Sequence, residues 1–574
     1  MANRSYVARI GEIACAVFAC LVAVKAHGQS QPPPPAPPNQ NTSTAGTLRV
    51  TTRAVQVSVI AQDGDGHPIA GLTRDDFTIL DNGVPQKIVS FTQQSSHVTA
   101  SVSASTAAIP THAFSNRIDQ KTDVPPSVTV VLLDALDSDQ YDMISAREQV
   151  VKFIDQMQPD DRVALYALTP GGKIIVLHDF TSDTATLLRA LGRTPKVEKS
   201  QNVAQEGNVA PVSVVGAHQL AGAQAGDPQA LERALEREGD FDQVNRIETI
   251  SETFKAIARH LARLPGRKNL VWISGSFPFN FPWVPGSFRD ASNFEPSIIA
   301  AAHALSDADV AIYPVDARGL MAQRPDEPGR LFARHYPSAP PQLTLATMQS
   351  LAQGTGGIAF YNTNDIGGAI RRAIDDSSLT YELAYYPSHD QWDGRFRGIK
   401  VEVKHSGARL RYRKGYFATP ATQSTPKSQG QILTVAARNP LEATELGLNV
   451  QINAADAPGA RRAKVEVRVD CDQLHFELHA GHWTDKVEVA WIELDADGED
   501  IGHSARTIDL NIPDQTHDKI SRDGLVFNET IGLVDECVEL RLVARDAGTG
   551  SIGSVNIPLT RIFLKASAAA PPRN

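Results

Sequence analysis

Apolar runs separated by amphipathic helical stretches predict an α/β fold, a doubly wound Rossmann-like sheet with a β module on either side. Three observations carry this. The run Ser127-Val-Thr-Val-Val-Leu-Leu133 passes directly into Asp134-Ala-Leu-Asp137-Ser138-Asp139. A continuous apolar run ending in acidic and hydroxyl side chains is how a buried parallel strand reaches the carboxyl edge of a sheet, where open α/β folds hold ligands. Strand-like and helical segments then alternate from Val128 to Ile374, and clean period-two patterns lie before and after them.

The chain of 574 residues is too long for one core, and its 42% hydrophobic and 21% charged residues are ordinary for globular domains. At the N-terminus, Arg4 and Arg9 precede an apolar run from Ile10 to Val24, and Ala26-His27-Gly28 offers small residues before Gln29. This predicts a signal peptide over 1–28 and a secreted, periplasmic or cell-surface protein. Loss of three basic residues and one acidic residue with that segment takes the formal charge from −10 to −12. Such a surface excludes a phosphate polymer as partner, so no nucleic acid is expected. No later segment is long and apolar enough for a membrane span.

Residues 29–46 form a proline-rich linker, and 47–95 a small β module with Asn82-Gly83 at a hairpin turn. Asp63 and Asp65 could be read as a calcium loop, but the following glutamate and the spacing of one are missing, and a plain turn is expected. A Ser/Thr/Ala-rich linker over 96–124 precedes the α/β domain at 125–390, which carries a polar insertion at about 193–240. Its last strand is expected around Tyr381, Leu383 and Tyr385. A β extension occupies 391–418, and the alternation from 430 to 565 predicts an antiparallel sandwich of about seven strands. Cys471 and Cys537 remain after signal removal, and in an oxidising compartment they are candidates for one disulfide.

The element order and the acidic loop after the first strand resemble the von Willebrand factor type A domain. Four segments narrow the resemblance to a secreted bacterial family with a divergent copy of it: Gly71-Leu-Thr-Arg-Asp-Asp-Phe77, Asp179-Phe-Thr-Ser-Asp183, Leu264-Pro-Gly-Arg-Lys-Asn-Leu-Val-Trp-Ile-Ser274 and Arg411-Tyr-Arg-Lys-Gly-Tyr-Phe417. The resemblance implies a binding or scaffolding role outside the cytoplasm. It also implies a metal-ion-dependent adhesion site holding Mg²⁺ through an aspartate and two hydroxyls of the first loop, a threonine, and an aspartate after the fourth strand. Asp134 and Ser138 match that pattern and are the candidate metal ligands. Leu136 replaces one hydroxyl, Ser274-Gly275-Ser276 carries no aspartate, and Thr194 is the nearest threonine. These departures favour a degenerate site in which Asp134 and Ser138 cap or bond the loop.

The candidate contact residues are Asp134, Asp137, Ser138, Ser274, Ser276, Phe277 and Trp283, the last two from the aromatic string Phe277-Pro-Phe-Asn-Phe-Pro-Trp283. Zinc-protease, serine-hydrolase, phosphate-loop and C-x-x-C signatures are absent from the sequence. A non-enzymatic binding protein for a protein or cell-envelope ligand is therefore expected. The competing expectation is a hydrolase assembled from Asp134, Asp137, His178 and Asp316.

Overall fold

The computed structural model describes residues 54–95, 112–117, 127–192, 228–264, 266–277, 295–320, 341–389, 391–418, 426–455 and 461–563. The expected signal peptide and proline-rich linker, Thr194 and Trp283 lie outside them. Among the described residues no helix is long and apolar enough to cross a membrane.

The first strands are β1 (Val55–Gln62), β2 (Phe77–Asp81), β3 (Val84–Gln86), β4 (Ile88–Ser95) and β5 (Ala113–Ser115). The α/β domain follows as β6 (Ser127–Asp134), α1 (Gln140–Ile154), β7 (Val163–Leu168), β8 (Ile174–Thr181), α2 (Thr184–Gly192), α3 (Pro228–Leu261) and β9 (Arg267–Ser274). It ends with α4 (Glu295–Asp307), β10 (Val310–Asp316), α5 (Pro341–Thr355) and α6 (Ile366–Asp375). Its sheet runs β10-β9-β6-β7-β8, parallel except for β8. The segment around Ile358 joins it through one parallel bridge, Val315 to Phe360. Apolar residues of α3, α4 and α5 pack on one face and those of α1, α2 and α6 on the other. Both faces of β6, β9 and β10 are therefore buried, which is why their central residues read as apolar runs. Helix α3 begins at Pro228, inside the expected insertion.

The expected last strand of this sheet is elsewhere. β11 (Leu379–Tyr385) pairs antiparallel with β1 and β4. With β12 (Phe396–Val403), β13 (Arg409–Arg411) and β14 (Gly415–Phe417) it completes two packed sheets, β13-β1-β11-β4 and β14-β12-β2-β3. Alternation explains the choice: Tyr381, Leu383 and Tyr385 enter one core with Val57, Val59, Phe77 and Ile79. Tyr381 meets Phe77 at 5.3 Å and Phe91 at 6.0 Å between ring centroids. The β module at 47–95 and the extension at 391–418 are thus halves of one sandwich, interrupted by the α/β domain.

Helix α7 (Pro426–Arg438) leads to β15 (Leu448–Ala454), β16 (Arg462–Val469), β17 (Glu477–His479), β18 (His482–Leu494) and β19 (Asp500–Ile512). Helix α8 (Asp514–Asp523), β20 (Leu525–Gly532), β21 (Glu539–Asp546) and β22 (Ile552–Pro558) follow. They form an antiparallel sandwich, β20-β16-β15-β5 facing β17-β18-β21-β22, with β19 beside β18. The linker expected at 96–124 is corrected here: its β5 pairs with β15. Asn116, 1% exposed, holds it there, donating to the carbonyls of Ala443 (2.7 Å) and Leu446 (2.8 Å) and accepting from the Leu448 amide.

Cys471 and Cys537 are both buried and unbonded, so the expected disulfide is not made. Cys471 follows the Val469 end of β16, whereas the Cys537 carbonyl accepts from Arg461, just before the Arg462 end. The seven rises between Arg462 and Val469 place those ends about 23 Å apart, and a disulfide needs Cα atoms within about 7 Å. Burial pushes both thiols up to about 11. Alkylation of the unfolded chain without reductant is expected to modify both cysteines; protection of both from alkylation, relieved by reductant, would contradict this arrangement.

Candidate functional site

The helices that follow β6 and β9 in the chain, α1 and α4, pack on opposite faces of the sheet. Their divergence makes the β6/β9 boundary the topological switch point, where this fold class opens its ligand crevice. Asp134 and Ser274 end those two strands side by side, as the register Leu133–Ile273 requires. Here the crevice is filled. Asp134 is 0% exposed. Its Oδ1 accepts from the amides of Leu136 (3.0 Å) and Asp137 (3.3 Å). Its Oδ2 accepts from the Trp272 indole (3.0 Å) and the Ser274 hydroxyl (2.9 Å). Ser138 Oγ accepts from the Gly275 amide at 2.7 Å. A Cβ at Gly275 would lie 3.1 Å from the Asp137 carbonyl oxygen and 3.2 Å from Ser138 Cα, so a side chain there would push the loops apart.

These residues do not fit the implied Mg²⁺. Both Asp134 oxygens already serve N–H and O–H donors, and an indole N–H has no lone pair for a metal. Leu136 adds no oxygen, and Ser274 donates to Asp134 rather than standing as a free ligand. Among the described residues, Asp63, Asp65 and His67 are the group whose ligand atoms lie within 4.8 Å of one another and could hold an ion. They sit on the β1–β2 connection, largely exposed, with Asp63 Oδ1 accepting from the Asp65 and His67 amides.

Sequence reasoning missed Trp272 and Arg246. Trp272 is 0% exposed and meets Phe254 (5.0 Å) and Phe277 (4.6 Å) edge-on. Its parity with Ser274 was readable, but not that β9 lies beside β6. Arg246 of α3 donates to Asp137 Oδ1 at 3.4 Å, and it precedes the apolar period that marks this helix in the sequence. Ser276 is half-buried beside Ser274, and Phe277 is wholly buried. Most of the expected contact set therefore builds the edge from within.

The residues of the hydrolase reading do not converge. His178 lies opposite Leu165, which is level with Val131. That is about 10 Å across the strands from Asp134 and about 10 Å further down. Asp316 is at the right edge, but both its oxygens accept from Arg318 (2.9 and 2.7 Å).

The basic residues of two motifs behind the family resemblance, Leu264–Ser274 and Arg411–Phe417, meet at the opposite, amino edge. Arg267 donates to the Tyr313 hydroxyl and the Gly356 carbonyl, Lys268 to the Ala308 carbonyl, and Arg413 to the carbonyls of Ser306 and Gln56. Between the domains, Ser58 Oγ lies 2.5 Å from both Asp309 and Glu382. One hydroxyl proton cannot serve both carboxylates at once.

Burial, then the Asp134 charge, raises Asp137 to about 7 against the pull of Arg246. Burial, then Asp309, raises Glu382 to about 7, and burial, then Asp546, raises Asp485 to about 8. Each group holds its proton more tightly in the native state than in the unfolded chain. Its stabilising contribution is complete below about pH 4 and is lost as pH rises through 7 to 8. The urea midpoint is therefore expected to be higher at pH 5 than at pH 8.5; a midpoint that climbs across that window would contradict these environments.

No family model matches the chain, and no curated protein matches it. Among solved structures, an aerotolerance-related membrane protein of Bacteroides fragilis aligns at 18% identity over 43% of this chain and 98% of its own, with a TM-score of 0.22. The conserved hypothetical protein BatB of Bacteroides thetaiotaomicron aligns at 16% over 44% and 98%, with a TM-score of 0.21. The pilus adhesin SpaC of Lactobacillus rhamnosus GG aligns at 9% over 76% and 54%, with a TM-score of 0.25. Likenesses at these scores carry no argument about the fold or function of this chain.

Proposed function

We propose that this is an exported, non-enzymatic binding or scaffold protein, whose von Willebrand factor type A-like domain meets a protein or envelope ligand at the carboxyl edge of its sheet. The strand order, the helices on both faces and the acidic loop at the switch point support the domain reading. The observation that carries the function is a collar of exposed apolar side chains at that edge. Tyr141 (88% exposed) and Ile144 (52%) open α1 directly after the Asp134 loop, Leu320 (58%) follows β10, and Tyr361 (42%) follows the Phe360 bridge. Beside Tyr361 lies a concavity of about 400 Å³ lined by Phe360, Thr363, Asp365 and Gly368. Exposed aromatic and aliphatic groups around a concavity mark an interaction surface. The two sandwiches act as supports that hold this edge outward.

The test is capture of envelope fractions by immobilised protein. Tyr141→Ala with Ile144→Ser is expected to abolish specific retention while leaving the fold intact. Retention unchanged by that pair, or hydrolytic turnover of ester, phosphoester or peptide substrates lost on Asp134→Asn, would overturn the reading.

A further inference from the structure

We propose that Arg246 is the resident cation of this sheet edge, taking the electrostatic place that the family resemblance assigns to a divalent ion and leaving the edge independent of metal. The β6–α1 loop brings two carboxylates together with little water: Asp134 is 0% exposed and the Asp137 side chain 2%. Two acidic groups so placed persist only beside an opposite charge, a proton or enough donors. Asp134 has its four donors. Asp137 has Arg246, whose side chain is 20% exposed and whose guanidinium lies 3.4 Å away, while Asp137 Oδ2 is buried without a hydrogen-bond partner among the described residues.

The guanidinium is delivered by a rigid element. Helix α3 runs antiparallel to the strands and returns to the start of β9, so its Arg246 region stands at the carboxyl edge. Ile247, Ile250, Phe254 and Ile257 bury the adjoining stripe in the core, which fixes the rotation of the helix and aims position 246 at the loop. An incoming ion would have to displace Arg246 from Asp137 and the Trp272 and Ser274 donors from Asp134. The structure therefore disagrees with the metal expectation at each carboxylate in turn.

This inference deepens the edge reading above and relies on it only for the location, because its readout needs no ligand. Thermal unfolding of the wild-type chain is followed with EDTA and with millimolar Mg²⁺, Mn²⁺ or Ca²⁺, alongside Arg246→Ala, Asp137→Asn and the double variant. The wild-type midpoint is expected to move by less than about 1 °C under every condition. Arg246→Ala is expected to lower it by about 5 °C, and Asp137→Asn in that background to restore most of the loss, since it removes the carboxyl that must otherwise either stay charged without a partner or take up a proton. Arg246→Lys, which keeps the charge, is expected to lie close to wild type. A wild-type midpoint raised by several degrees with a divalent ion, or a double variant no better than Arg246→Ala, overturns the proposal. Should Arg246→Ala fail to fold, soluble double variant and an unresponsive wild type support it, and an insoluble double variant counts against it. Loss of ligand capture without any such thermal change would indict the collar rather than Arg246.

Discussion

Trp272→Ala is expected to destabilise the α/β domain by about 3–5 kcal/mol, the largest effect at the carboxyl edge. Two losses combine. The ring fills the space between Phe254 and Phe277 under helix α3, and its removal leaves a cavity in a core that cannot close around it. The indole N–H also satisfies Asp134 Oδ2, and a buried carboxylate oxygen stripped of a donor costs about 1–3 kcal/mol more. Trp272→Phe separates the terms, because it keeps most of the ring and deletes the donor. Chemical denaturation should place the phenylalanine variant between wild type and alanine. Equal losses for the two would mean that packing is irrelevant here, and no loss for phenylalanine would mean that the hydrogen bond is.

The second large effect is expected at the amino edge, from Asp376→Ala. Asp376 is 2% exposed at the end of α6. Arg411 of β13 grips it through both guanidinium nitrogens, and the Tyr313 hydroxyl donates to it at 3.2 Å. The pair crosses from the α/β domain to the sandwich that encloses it. Removing one partner of a buried pair costs about 3–5 kcal/mol, because the other charge is left in a place with little water. Replacing both, as Asp376→Leu with Arg411→Met, is expected to recover most of the stability. Limited proteolysis should show early cleavage between sandwich and α/β domain in the single variant and not in the double. A single variant as resistant as wild type would mean that other contacts hold this junction.

The two effects differ in how far the sequence foretold them. The loop at Asp134 was legible because a continuous apolar run can end in acids only at a sheet edge. Its partners were not, since Trp272 and Arg246 are 138 and 112 positions away and nothing local links them to it. The motif strings Arg267-Lys268-Asn269 and Arg411-Tyr412-Arg413 were conspicuous in the sequence, but nothing local told where they would lie. They lie at the foot of the sheet, where their long cationic side chains reach carbonyls and buried carboxylates across a domain junction. A charged residue on a strand reads as solvent-facing until the element that covers it is known.

The metal expectation divides in the same way. Leu136 and the missing aspartate after β9 already weakened it in the sequence. What fills Asp134 is a matter of tertiary packing: one indole, one hydroxyl and two amides converge on it from two loops. The disulfide expectation failed for a related reason, because spacing along a chain says nothing about which end of a strand about 23 Å long each cysteine occupies.

By itself the sequence determined the α/β core, its helices and strands, the edge at which Asp134 stands and the β character of both flanks, because periodicity and apolar length are local properties. Tertiary structure alone decided that Leu379–Tyr385 leaves the central sheet for the first sandwich and that Ala113–Ser115 is stitched into the last one. It also decided that the carboxylates at the edge are answered from within the protein. Those choices depend on which surfaces meet after long excursions of chain, and the energy that selects them arises only when the domains pack.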